Sequence, residues 1–353
     1  MSIRPVRRDY LLELPKPELH CHLDGSLRLQ TILDLAQKDK VELPSRDPDE
    51  LFKAVAVTDR VANLEAYIDK FNITLSVLQT PEALQRVAFE LAEDASKENV
   101  RYMEIRYSPV LHTQRGMSTM ESLDAVLTGL REAEDTFPIK LGLIVCGIRN
   151  ISPEVTLQLA ELAVAYKNKG VVGFDLAGVE ENFPAKNHLE AFYLIRNNNV
   201  NVTLHAGEAY GPSSIHQAIH RCGANRIGHG TRLKEDGDLL NYVNDHRICL
   251  EVCLTSNIQT GSVARIEDHP VKLFHDYGLR VTLNTDSRLV SNTSLVDEYM
   301  LAHEVFGFDM LDFKDFIIAG FKSAFLPHRE RTRLIRESAH MIDDYLGISG
   351  AKY

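Results

Sequence analysis

Short apolar runs recur along the chain, most stopping at a polar residue. They are "PELHCH" (17–22), "VRYMEIRYS" (100–108), "KLGLIVCGIR" (140–149), "VVGFDLAG" (171–178), "VNVTLHAGE" (200–208), "NRIGHG" (225–230), "RICLEVCLTSN" (247–257) and "RVTLNTDS" (280–287). Runs this short, rich in Val, Ile and Leu, fit strands buried on both faces. Between them the apolar spacing is helical. In "SPEVTLQLAELAVAYKNKG" (152–170), Ser152 stands at a cap position, Pro153 at the first helical position and Gly170 at the close, the order that helix ends favour. "SSIHQAIHRCG" and "EDGDLLNYVNDH" repeat the pattern less clearly. Eight strands alternating with helices predict an α/β protein built as a (β/α)8 TIM barrel. A doubly wound sheet would need a Gly-rich phosphate loop after its first strand, and none follows residue 22.

The beat is uneven. Nearly 80 residues separate the first and second runs, and "TILDLAQKD", "VANLEAYIDKFNITLSVL" and "TPEALQRVAFELAEDASKEN" within them read as helices. This predicts a helical insertion after strand 1, at about 30–98, able to wall or lid a pocket. Residues of about 295–347 predict further C-terminal helices packed outside the barrel. No linker, low-complexity tract or internal repeat interrupts the chain, so residues 1–353 read as a single domain.

Composition narrows the partners. Charged residues make up 25% and the hydrophobic class 44%, an ordinary soluble mixture, and the net charge is −11. That balance repels nucleic acid, and no basic run offsets it: "HRERTRLIRE" (328–337) alternates signs at helical spacing and reads as a solvated face. The five cysteines are irregularly spaced, which fits core thiols rather than a disulfide framework. The N-terminal "MSIRPVRRDYLLELPK" lacks the apolar run of a signal peptide, and no stretch approaches the roughly 20 apolar residues of a membrane span. A cytoplasmic location is expected; the oligomeric state is not legible.

Polar residues gather where a parallel barrel carries its chemistry, at the C-terminal ends of the strands. Strand 1 ends in His20-Cys21-His22, and residues two apart on a strand share a side. Taken alone, such a pair reads as ordinary hydrogen-bonded histidines. Strand 5 ends with His205 and is followed by Glu208, strand 6 ends with His229, and strand 8 ends with Asp286. Recurrence at corresponding ends points to a cation site. Three imidazoles and a carboxylate suit zinc best, with iron, cobalt or nickel as alternatives. Two-metal barrels of this general type often bridge their ions with a modified lysine on strand 4. "VVGFDLAG" contains none, so one ion per chain is the simpler expectation.

With these residues in view, the chain resembles the adenosine deaminase family. "ELHCHLDGSL", "DLAG", "HAGE", "RIGHG", "LEVCLTSN" and "TLNTDS" match its motifs in order, over about residues 14–300. The resemblance implies a zinc-dependent enzyme of purine metabolism. It would convert adenosine, and 2′-deoxyadenosine, to inosine and ammonia by a zinc-activated water. It implies His20, His22, His205 and Asp286 as metal ligands, Glu208 as proton donor to N1 of the purine, and His229 beside the attacking water as base or electrostatic partner. It implies Asp24 as a contact to the ribose hydroxyls and Gly178 as a backbone donor to N3, with His22 also facing substrate and Asp286 also catalytic. One position departs: where many members carry a second aspartate that contacts N7, this chain has Ser287. A hydroxyl can donate to N7, but the base preference is left open, with adenine or aminodeoxyfutalosine as alternative substrates. AMP is disfavoured, because Asp24 near the 5′ end of the sugar would repel phosphate. A noncatalytic nucleoside binder would be expected to have lost a ligand or the proton donor, and all are present. The cytidine-type zinc signature, H-x-E with P-C-x-x-C, is absent.

Overall fold

The computed structural model of the protein describes residues 5–347. Eight strands form its centre: β1 Lys16–His22, β2 Val100–Tyr107, β3 Lys140–Ile148, β4 Val171–Ala177, β5 Asn201–Ala206, β6 Arg226–His229, β7 Cys249–Val252 and β8 Val281–Leu283. They are ordered β1 to β8 and every neighbouring pair is parallel, as expected for the barrel. The ring closes just past β8. Cys21 bridges Asp286, the His22 N–H donates to the Asp286 carbonyl at 2.6 Å, and the Asp286 N–H donates to the His20 carbonyl at 3.0 Å.

Two expected runs are shorter than their apolar pattern. The strand read over 247–257 ends at Val252, and Leu254–Gln259 is a helix. The last run likewise stops at Leu283. In both places the chain has reached the barrel mouth, where it leaves the ladder and turns. The helix over 152–170 forms as Pro153–Tyr166, with the Ser152 hydroxyl accepting from Val155 N–H.

The insertion after β1 holds helices Leu29–Asp39, Pro48–Val55, Leu64–Ile68, Phe71–Val77 and Pro81–Lys97. The segment 61–78, read as one helix, is two. Pro48–Val55 was not read at all, although Asp47 caps it by accepting from the N–H groups of Asp49 and Glu50. The insertion is pinned to the mouth: Val57 N–H donates to the Val290 carbonyl at 2.7 Å, and Tyr67 Oη meets Ser291 Oγ at 2.7 Å. The C-terminal helices appear as Leu295–Phe306, Met310–Ser323 and His328–Leu346. The first-strand end of the barrel packs so tightly on the second of these that a Cβ on Gly320 would stand 2.5 Å from Pro17 Cγ. All five cysteines are buried free thiols, as the spacing predicted. Among the described residues no helix is long and apolar enough to cross a membrane.

Inside the barrel, the strand-borne charges pair with one another. Arg106 joins Asp175 at 3.0 Å and Glu251 at 2.8 Å, while Arg226 joins Glu251 at 2.6 Å and also pairs with Glu104. All five side chains are buried. Breaking such a pair leaves an uncompensated buried charge, which costs about 3–5 kcal/mol.

Candidate active site

His20 and His22 end β1, His205 lies near the end of β5, and Asp286 follows β8. One ligand atom from each lies within 4.8 Å of all the others. His20 Nε2 is 3.3 Å and His22 Nε2 3.4 Å from Asp286 Oδ1, and the Nε2 atoms of His22 and His205 are 3.2 Å apart. Donors bonded to one zinc-sized ion at ~2.0–2.1 Å would be separated by about 3.3 Å in a tetrahedral set. His20 Nε2, buried and aimed at this point, has no hydrogen-bond partner. The four residues therefore fit a metal.

The next layer sets which ring nitrogen is free. His20 donates from Nδ1 to Glu251 at 2.9 Å, and His205 from Nδ1 to Asp175 at 2.9 Å. Each Nε2 lone pair is thereby left toward the common point. Burial also pushes the imidazoles of His22 and His205 below their ordinary range, which keeps them in the neutral form that ligates. Ser256 Oγ donates to the outer oxygen of Asp286 at 2.6 Å.

His229 and Glu208 stand beside this cluster, with Nε2 and Oε2 3.6 Å apart. Burial raises the Glu208 carboxyl well above the carboxylate range, and the charges of Asp286 and Glu180 raise it further. The proton on His229 is fixed by a relay. Val271 N–H donates to His269 Nδ1 at 3.1 Å, so His269 donates from Nε2 to Asn257 Oδ1 at 3.1 Å. That orients the amide, whose Nδ2 donates to His229 Nδ1 at 3.0 Å. Neutral His229 therefore carries its hydrogen on Nε2, facing the cavity. His229 and Asp286 both have φ 63°, a left-handed backbone that costs a non-glycine residue about 1–3 kcal/mol.

The cavity around these groups measures about 270 Å³. Tyr67, Phe71 and Leu75 of the insertion form its apolar wall, the role expected of that segment. Gly178 lines it at φ 95°, where a side chain would be strained. Asp24 lines it too: burial pushes its carboxyl up to about 7, and Oδ1 has no partner. His112 Nε2 lies 4.0 Å from Asp24 Oδ2. Ser287 is placed differently from the other expected contacts. It is fully buried and is not among the residues lining the cavity, and its Oγ would be 2.4 Å from a Cβ on Gly25.

The sequence reading missed the residues behind the site. Glu180 is the chief one: its carboxylate accepts from the N–H groups of Gly207 (2.6 Å), Glu208 (3.1 Å), Ala209 (2.8 Å) and Tyr210 (2.9 Å), and so shapes the loop that carries Glu208. Asp175, Glu251, Ser256 and Asn257 all sit inside the quoted motifs but were given no role. The signal for the strand charges was available. A charge in a strand buried on both faces must have a buried partner, and Glu104, Arg106, Asp175 and Glu251 are such charges.

A family model described as adenosine deaminase matches residues 15–341. An adenosine deaminase of Mycobacterium ulcerans (strain Agy99) is 43% identical over 346 residues, covering 93% of this chain and 95% of that protein. A probable adenosine deaminase of Dictyostelium discoideum is 42% identical over 335 residues; the match covers 95% of this chain but 43% of that longer protein. Among solved structures, the crystal structure of adenine deaminase from Arthrobacter aurescens is similar with a TM-score of 0.87 and 26% identity, over 94% of this chain and 99% of that one.

Proposed function

The chain belongs to the adenosine deaminase family, and from that premise we propose that it hydrolyses adenosine, and 2′-deoxyadenosine, to the 6-oxo nucleoside and ammonia. The observation that carries this reading is the convergence of three imidazoles and a carboxylate beside a carboxyl that burial pushes well above the usual carboxylate range. We assign a single zinc ion to His20, His22, His205 and Asp286. When bound, it supplies Lewis acidity that lowers the pKa of water to about 7.

The chain's own groups complete the chemistry. Glu208 delivers a proton to N1 of the purine, which draws electron density from C6 and opens that carbon to attack. His229, with hydrogen on Nε2, donates to the water's oxygen and orients it; the relay through Asn257 favours this electrostatic role over that of a base. Gly178 offers its N–H to N3. Asp24, a buried carboxyl with an unsatisfied oxygen, takes the ribose hydroxyls. The apolar insertion wall covers the base and keeps other water out. Ser287, behind the wall, is assigned no contact with N7.

Purified protein of known metal content is expected to release ammonia from adenosine with a fall in absorbance near the adenosine maximum; no turnover would overturn the proposal. Likeness to an adenine deaminase structure favours a second reading, the same reaction on free adenine. kcat/KM for adenosine, 2′-deoxyadenosine, adenine and aminodeoxyfutalosine separates the two. Asp24 predicts that the nucleosides win, since adenine brings it no hydroxyl.

A further inference from the structure

A second cavity, of about 510 Å³, lies at the opposite end of the barrel. Val171, Asn201, Arg226 and Arg280 line it where β4, β5, β6 and β8 begin, and Ser323 to Pro327, from the end of one C-terminal helix to the start of the next, flank it. Six cationic side chains line this space, Lys167, Arg226, Arg247, Arg280, Lys322 and Arg331, and no Asp or Glu does. The chain as a whole carries a net charge of −11. No two of the six are neighbours in sequence, so no basic run announced the cluster.

Three of the six are committed elsewhere. Arg226 is held by Glu104 and Glu251. Lys167 donates to the Asn198 carbonyl at 2.8 Å, and Arg247 donates to Asn244 Oδ1 at 2.8 Å and the Gly278 carbonyl at 3.0 Å. Arg331 reaches a single carbonyl, that of Ala324, at 3.4 Å. The side chains of Arg280 and Lys322 have no hydrogen-bond or ion-pair partner among the described residues. Lys322 lies in the last turn of Met310–Ser323, where a cation suits the helix dipole. No such explanation covers Arg280 and Arg331. Arg280 sits below the usual guanidinium range through partial burial and then the nearby charge of Arg247, with Arg331 adding to it. Gathered like charges of this kind repel one another until a counter-charge arrives.

The 19-residue helix His328–Leu346 starts at the same place. Pro327, its N-cap, lines the cavity, and no side chain caps the helix. Its first-turn N–H groups therefore add partial positive charge to the guanidinium field. Guanidinium forks match phosphate oxygens in pairs, and the volume falls within the ~300–1,000 Å³ of small-molecule sites. We infer that this cavity binds a small anion bearing at least two phosphate groups, at a site separate from the metal cluster and independent of the proposed reaction.

Pyrophosphate is the probe, titrated calorimetrically into the metal-loaded protein at constant ionic strength, with metal content measured before and after to exclude chelation. Saturable binding of one pyrophosphate per chain is expected, at least tenfold tighter than sulfate. In the Arg280→Gln/Lys322→Gln double variant affinity should fall at least tenfold while kcat/KM for adenosine is unchanged. Arg331→Gln, a milder single change, should weaken binding in the same direction. Equal binding of sulfate, full affinity in both variants, or tighter binding of a short single-stranded oligonucleotide than of pyrophosphate would each overturn the inference.

Discussion

At the scale of single residues, the site turns on where two hydrogens sit. In the proposed reaction Glu208 must hold one at neutral pH, and burial with neighbouring negative charge pushes its carboxyl well above the usual carboxylate range. Glu208→Gln keeps the shape but has no proton to give. It should retain bound metal, measured by elemental analysis, while kcat falls by about 10²–10⁴-fold, the usual worth of a general acid. The second hydrogen is that on His229 Nε2. Asn257→Asp would present a carboxylate to both His229 and His269, drawing the His229 hydrogen onto Nδ1. The expected result is a loss in kcat of at least about tenfold, since a misplaced tautomer can cost far more, together with a moved ¹⁵N signal from the His229 ring. A variant with wild-type kcat would remove the relay from the mechanism. The clustering of the four candidate metal donors, and the place of Glu208, His229, Asp24 and Gly178 on the cavity, were legible in sequence because each falls at a strand end or in a family motif. Asn257 and His269 were not, since a relay is defined by which atom faces which, and spacing carries none of that.

At the scale of elements, the loop after β5 is held by a carboxylate from the loop after β4. Glu180 gathers four backbone N–H groups, and its charge also helps keep Glu208 protonated, after burial and Asp286. Glu180→Gln should act twice. Loss of charge-assisted bonds should lower stability by about 1–3 kcal/mol in denaturant unfolding. Glu208 should also release its proton more readily. On the proposed mechanism activity needs that proton and is lost as pH rises through the Glu208 pKa, so the alkaline limb of the kcat/KM profile should move to lower pH. An unmoved limb would show that Glu180 is structural only. Strand order was readable from the apolar beat, but strand ends were not. β7 and the helix after it share one apolar run, and only the barrel's height decides where the ladder stops.

For the whole molecule, stability is tied to pH through a buried carboxyl that has no ion-pair partner among the described residues. Glu298 is fully buried; its oxygens take hydrogen bonds from Thr255 N–H and Thr293 Oγ1, and burial pushes its carboxyl up to about 7. The unfolded chain gives up this proton near pH 4.5 and the folded one near 7. Stability should therefore fall as pH rises across that window and level off above it. Glu298→Gln should be more stable than the parent at pH 8, by up to about 3 kcal/mol, with the gap narrowing at pH 5; denaturant titrations at the two pH values measure it. The closure of the barrel has a consequence of its own. Two donors of the metal set come from the first strand and a third from just beyond the last, across the seam that their own backbones zip. A chain still emerging from the ribosome has the first two long before it has the third, so the full set exists only once the ring of strands is complete. Possession of the ion would thus certify a closed ring of strands, while the three C-terminal helices are still to be added.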